Sequence, residues 1–369
     1  MDIVSENMHP PNVTGFASFI RNLEDECTIL RIIGKSLVAG SASGKVASWK
    51  IGNGSKNWEI DFAGPCLQSD SDGKRLFISE SNNLHAIDSN NGNLLWSISL
   101  EGSCDFLRWS NGFLWMTSSV FNSEIHDYTH AEIWLFDGSG SLINSWNLEC
   151  RAWSLAVNQD TAIVGLSRPR CGYATISNAE GLDYKGLNVK YPVTTGSDYI
   201  GGTVIFGHSN GEITEVSNEG ASSFKTGDSS VRSLFFNKGW IAGMESGKVR
   251  SSEELGSWEI NVEGIVDLIM AEQPIEGEMT AWICSSADDS KLTLVDVGSG
   301  EVKFQLSCEN RIRIGHSSRG LLAFGDSEGR VFFFESDVVY RRFEEESDDF
   351  DVLEKRNELR KKIRRLRGG

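Results

Sequence analysis

The chain is poor in proline, with six residues in 369, and it has no run of about eighteen apolar side chains. The second absence excludes a membrane-spanning helix. The opening MDIVSENMHPPNVTG has neither a basic stretch nor an apolar one, so no secretory signal is expected and the sequence predicts a cytoplasmic protein. No CxxC or CxxxC spacing occurs among the seven cysteines, which excludes metal-finger and thioredoxin-type sites and predicts reduced, mostly buried thiols. GxSxG, P-loop and strand–turn–helix GxGxxG patterns are also missing, so hydrolase and nucleotide-binding readings have no motif behind them.

Basic charge is scarce as well. The formal net charge is −17, from 52 acids and 35 bases. An acidic body repels phosphate backbones and anionic lipid, so nucleic acid is not expected as a partner except through a basic segment. Such a segment is present. Residues 344–351 read EEESDDFD, and residues 355–367 read KRNELRKKIRRLR. Residues 354–369 hold eight bases and two acids, which leaves −23 on the first 353.

What the chain has in abundance is a repeat. Leu84-His85-Ala86-Ile87-Asp88 alternates as a strand, Ser89-Asn90-Asn91-Gly92 is a turn, and Leu94-Leu95-Trp96-Ser97-Ile98 is a second strand carrying an aromatic. Units anchored on the residue that opens the first of these strands begin at Val46, Leu84, Ile133, Tyr173, Ile213, Val249, Leu292 and Val331, about 41 residues apart. Eight strand-rich units of this length predict an all-β, eight-bladed β-propeller with four-stranded blades. Seven blades with one degenerate unit is the alternative count. The aromatic of the outer strand also recurs eight times, at Phe19, Trp58, Trp96, Trp146, Tyr184, Phe224, Trp258 and Phe304, but starts one unit earlier. The N-terminal strand around Phe16–Ile20 is therefore expected to complete the last blade and close the ring. Longer spacings place insertions around Phe121–Ala131 and Ala271–Met279. The expected organisation is a disordered segment 1–12, a propeller over 13–337, and an acidic linker with a basic amphipathic helix over 338–369.

Ala86-x-Asp88-x-x-x-Gly92-x-x-x-Trp96 resembles the tryptophan-docking repeat of the quinoprotein (PQQ-like) propellers, and Lys50…Gly54…Trp58 and Asp296…Gly300…Phe304 keep its spacing. Other units resemble WD40 repeats, as in residues 37–46 (LVAGSASGKV) and 321–331 (LLAFGDSEGRV). The resemblance spans roughly residues 15–335. It implies that the tryptophan of one blade packs on the next. Quinoprotein dehydrogenases of this family carry adjacent cysteines beside the quinone, and no Cys-Cys pair occurs here, so no cofactor is expected. A degenerate quinoprotein-like dehydrogenase is the enzymatic alternative.

Aligned starts of the inner strands read Cys27-Thr28, Cys66-Leu67, Cys104-Asp105, Cys150-Arg151, Val193-Thr194, Val231-Arg232, Val266-Asp267 and Ile312-Arg313. The second position is charged in five units, at Asp105, Arg151, Arg232, Asp267 and Arg313. Alternation along a strand turns that position away from the packed one, toward the channel mouth. These five are the candidate axial-channel residues. They would bind an acidic peptide or a phosphate-bearing ligand, or simply pair with one another. His126 and His130 lie in the first insertion beside Glu124 and Asp127, but no HExxH glutamate separates them, so they read as a surface loop and no metal is expected.

Beyond the ring, Val352, Leu359, Ile363 and Leu366 form a narrow apolar stripe, with acids ahead of bases, so the tail is expected to be helical. The chain ends Arg365-Leu366-Arg367-Gly368-Gly369, which resembles the C-terminus of ubiquitin. That resemblance implies a side-chain-free end that an activating enzyme could adenylate and conjugate, or use to carry sulfur. The sequence thus predicts a non-catalytic propeller scaffold for protein partners, with a peptide or domain on one face and a second partner on the charged tail. The conjugated propeller is the alternative reading.

Overall fold

The computed structural model describes residues 10–272 and 279–343. Its strands form eight antiparallel sheets of four strands each. We number the blades by residue range: 27–61, 66–99, 103–148, 152–185, 193–225, 231–261, 265–308, and 312–335 together with Phe19–Asn22. Each inner strand packs against the inner strand of the next blade, and that of blade 8 packs against that of blade 1, so the sheets form a closed ring. The chain is an eight-bladed β-propeller, and the seven-bladed count falls.

All eight repeat anchors, from Val46 to Val331, lie in the third strand of their blades. Blade 8 takes its outer strand from the N-terminus, with Phe19 opposite Phe333 and Arg21 opposite Val331. The Phe19 and Phe333 rings stack at 4.8 Å. Arg21 reaches on to blade 1 and donates from Nε to the Gly54 carbonyl at 2.9 Å. Residues 336–343 form a helix whose Val339 is buried and whose Phe343 stacks on Phe304 at 4.2 Å. Arg342 ties it to the N-terminal segment by donating to the Gly15 and Ala17 carbonyls. The expected linker from 338 is thus helical as far as Phe343, and the expected amphipathic stripe of Val352, Leu359, Ile363 and Leu366 lies outside the described residues.

Two contacts between blades explain the repeated residue types. In the first, the Trp58 ring lies over the turn of blade 2, and its Nε1 donates to the Ser89 carbonyl at 3.0 Å. A Cβ on Gly92 would sit 2.9 Å from that ring, and φ there is +76°, so both space and backbone select glycine. Trp96 on Gly140 and Trp258 on Gly300 repeat the arrangement. In the second, the first residue of an inner strand packs on a glycine of the preceding blade. A Cβ on Gly325 would be 2.4 Å from the Cys27 Sγ, and one on Gly207 2.6 Å from Val231 Cγ1. Small residues recur at these strand starts because the approach is close.

All seven cysteines are free and buried. Burial pushes the Cys66 and Cys104 thiols up to about 12, which makes them poor nucleophiles at neutral pH.

Candidate functional site at the upper rim

We call the face where the inner strands begin the upper face and the opposite one the lower. At every inner strand the pairing with the second strand slips by one residue near its start. The bulged residues are Thr28, Leu67, Asp105, Trp153, Thr194, Arg232, Asp267 and Arg313. A bulge re-aims a side chain that would otherwise alternate into the packed interface. Four of the five candidate channel residues therefore occupy the bulge. Arg151 does not. In blade 4 the paired and bulged positions are Ala152 and Trp153, so the expected alignment on Cys150-Arg151 was two residues early.

Arg151 nevertheless joins the site, because it sits just ahead of its inner strand. Its Nε donates to Asp105 Oδ1 at 2.8 Å, and its Nη1 donates to the Tyr128 hydroxyl. The guanidinium lies 4.3 Å from the Tyr128 ring centre and 4.6 Å from that of Trp153, sandwiched between the two. Burial raises the Asp105 carboxyl above its ordinary value, opposed by the Ser119 hydroxyl and the Arg151 charge. Four blades away, Asp267 pairs with Arg311 in the same way, with Nε donating at 2.8 Å. Arg311 precedes Ile312 as Arg151 precedes Ala152, and sequence reasoning passed over it for that one-residue offset. Arg313 stands 3.5 Å from Glu26, and Arg232 is exposed.

The first insertion lengthens the hairpin between the second and third strands of blade 3, Phe113–Asn122 and Asp127–Asp137. It lifts Phe121 and Ile125, 54% and 60% exposed, above the rim beside Tyr128 and Trp153. His126 is in the turn, and His130 is in the strand, 3.5 Å from Glu132. Among the described residues no group of three or more His, Cys, Asp or Glu is arranged to hold a metal ion. Across the ring, on blades 7, 8 and 1, exposed acids line the upper turns: Glu24, Glu263 and Glu309, which pair with Lys45, Lys291 and Arg330, and Asp288, Asp289 and Glu328. The tail candidates Arg365, Leu366, Arg367, Gly368 and Gly369, and most of the second insertion, lie outside the described residues.

In the channel below the rim, the inner-strand His316 accepts from the Ile32 amide through Nδ1 at 3.3 Å. Burial, and the neighbouring Arg31 charge, lower its imidazole to about 4. The folded protein thus holds it neutral while the unfolded chain protonates near pH 6.5. Stability should fall as pH drops from about 6.5 toward 4, by up to about 2–3 kcal/mol from this residue. His85 and His208, also lowered by burial, act in the same sense. Denaturant titrations at pH 7 and pH 4.5 on wild type and His316→Gln isolate the contribution; equal pH slopes would refute it.

No family model matches the sequence, and no curated protein does. The likeness lies in solved structures. Sqt1 from Saccharomyces cerevisiae superposes with a TM-score of 0.70 at 11% identity, over 89% of this chain and 99% of that one. BamB from Moraxella catarrhalis gives 0.65 at 15% identity, over 86% and 96%. Chaetomium thermophilum Sqt1, solved bound to the N-terminus of the ribosomal protein L10, gives 0.67 at 11% identity, over 85% and 97%. At these identities the likeness establishes the fold. No helix among the described residues is long and apolar enough to cross a membrane.

Proposed function

We propose that the chain is a non-catalytic interaction propeller that holds a cationic peptide segment of a protein partner across its upper face. The observation that carries this reading is the cluster of Phe121, Ile125 and Trp153. These are large side chains left in solvent, with Trp153 braced on the Arg151–Asp105 pair. Aromatic anchors on a fixed support are what a binding hot spot requires. The acidic turns of blades 7, 8 and 1 face such a segment with the complementary charge and would steer its approach. Arg232 and Arg313, exposed on the same rim, would meet its acidic groups. That a propeller of this fold holds the end of a ribosomal protein in the Sqt1 complex supports the mode of binding. The Trp58–Gly92 and Trp258–Gly300 contacts support the likeness to the quinoprotein-type scaffold. The basic stretch 355–367, opposite in sign to the body, suits a tether for a second partner.

Peptides displayed on phage and selected on the full chain test the reading. Selected sequences should combine Lys or Arg with an apolar anchor and lose about tenfold or more in affinity on Trp153→Ala. Acidic selected sequences, or binding indifferent to Trp153→Ala, would refute it.

A further inference from the structure

The channel has a second, chemically different mouth on the lower face. A cavity of about 310 Å³ opens there, lined by Arg31, Asp70, Arg108, Trp109, Asp198 and Tyr199 among others. These residues come from the ends of the inner strands of blades 1 to 3 and from the loop that follows the inner strand of blade 5. Two guanidinium groups thus meet in one small polar space near the axis.

Their partners leave them under-used. Arg31 donates from Nη2 to the Ser69 carbonyl, and its Nε has no acceptor. Asp70 stands 3.9 Å from Arg31, beyond hydrogen-bond reach. Both Asp70 oxygens already accept backbone amides, Oδ2 from Trp109 at 2.7 Å and Oδ1 from Ser71 at 2.9 Å. Arg108 donates from Nη1 to the Leu107 carbonyl at 3.0 Å. Its Nε stands 3.4 Å from Asp198, whose side chain is 71% exposed. The pocket thus holds more N–H donors than acceptors, with one acidic group on its solvent side free to move aside.

We propose that this lower mouth is an oxyanion site, in which Arg31 and Arg108 clamp a carboxylate or phosphate and Asp198 is the counter-ion that the ligand displaces. Two converging guanidinium groups match the geometry of an oxyanion, and their forks give directed, charge-assisted hydrogen bonds in a partly desolvated space. The site lies on the face opposite the Phe121–Trp153 cluster and does not depend on that cluster binding anything.

The test is calorimetric titration of the full chain at fixed ionic strength. One arm uses inorganic phosphate, and the other a blocked Gly-Glu-Gly peptide. Saturable binding of either probe is expected, with phosphate indicating a free anion and the peptide an acidic side chain as the source. Arg108→Gln should weaken it about tenfold or more. Asp198→Asn, an exposed change that leaves the melting temperature in place, should tighten it about three- to fivefold. No saturable binding of either probe, affinity unchanged in Arg31→Gln and Arg108→Gln, or weaker binding in Asp198→Asn would overturn the proposal.

Discussion

Removing residues 1–22 is expected to cost more stability than any single substitution in the ring. The deletion takes away the outer strand of blade 8 and the buried Val13 and Phe16, and it unseats Leu23, which has no exposed surface. Burial of three such side chains stabilises by about 5 kcal/mol or more, against a total of about 5–15 kcal/mol for a folded domain. It also bares the third strand of blade 8, Arg330–Glu335, whose residues 331–334 read Val-Phe-Phe-Phe. An uncovered, flat apolar strand is an invitation to edge-to-edge association. Calorimetry with light scattering should show a lost or much lowered transition and large aggregates. An unchanged transition and unchanged size would mean that the N-terminal strand does not close the ring.

The second large effect separates two tryptophans. Trp58 is buried against Gly92, whereas Trp153 is 38% exposed at the rim. Trp58→Ala should cost about 3–5 kcal/mol, because it empties a contact between rigid blades that cannot collapse inward. For a chain of this length that is a fall of roughly 4–6 °C in Tm. Gly92→Val should also destabilise, since its side chain would meet the ring and sit at φ +76°. Trp153→Ala gives up a part-buried ring and its stacking on Arg151, and should cost about 1 kcal/mol, well short of Trp58→Ala. Equal losses for Trp58→Ala and Trp153→Ala in thermal melts would erase the division between packing and recognition.

The fold was legible because its signals are periodic. A strand's alternation and a turn's glycine recur with each blade, so the eight anchors found their strand without knowledge of any contact. Closure was legible from the one-unit offset between Phe19 and Val46. The site was less so. Cysteine at residues 27, 66 and 104 suggested that Cys150 opened the fourth inner strand, yet Ala152 holds that place. Loop length between blades leaves no periodic trace, and strand register is set by the neighbouring strand's hydrogen bonds. The same blindness hid Arg311 and Trp153. Nor does an aromatic in the outer strand guarantee docking, since Phe224 is 44% exposed. The lower pocket had no sequence signal, because Arg31, Arg108 and Asp198 meet only when the inner strands of distant units converge on the axis.

The most direct measurement of the recognition claim is the affinity of one selected peptide across a salt series, for wild type, Trp153→Ala and the rim variant Asp288→Asn/Asp289→Asn. The account predicts that affinity falls as salt rises, that the rim variant flattens this dependence, and that Trp153→Ala weakens binding at every salt concentration. Salt-independent binding that survives Trp153→Ala would place the partner elsewhere on the ring and contradict the account.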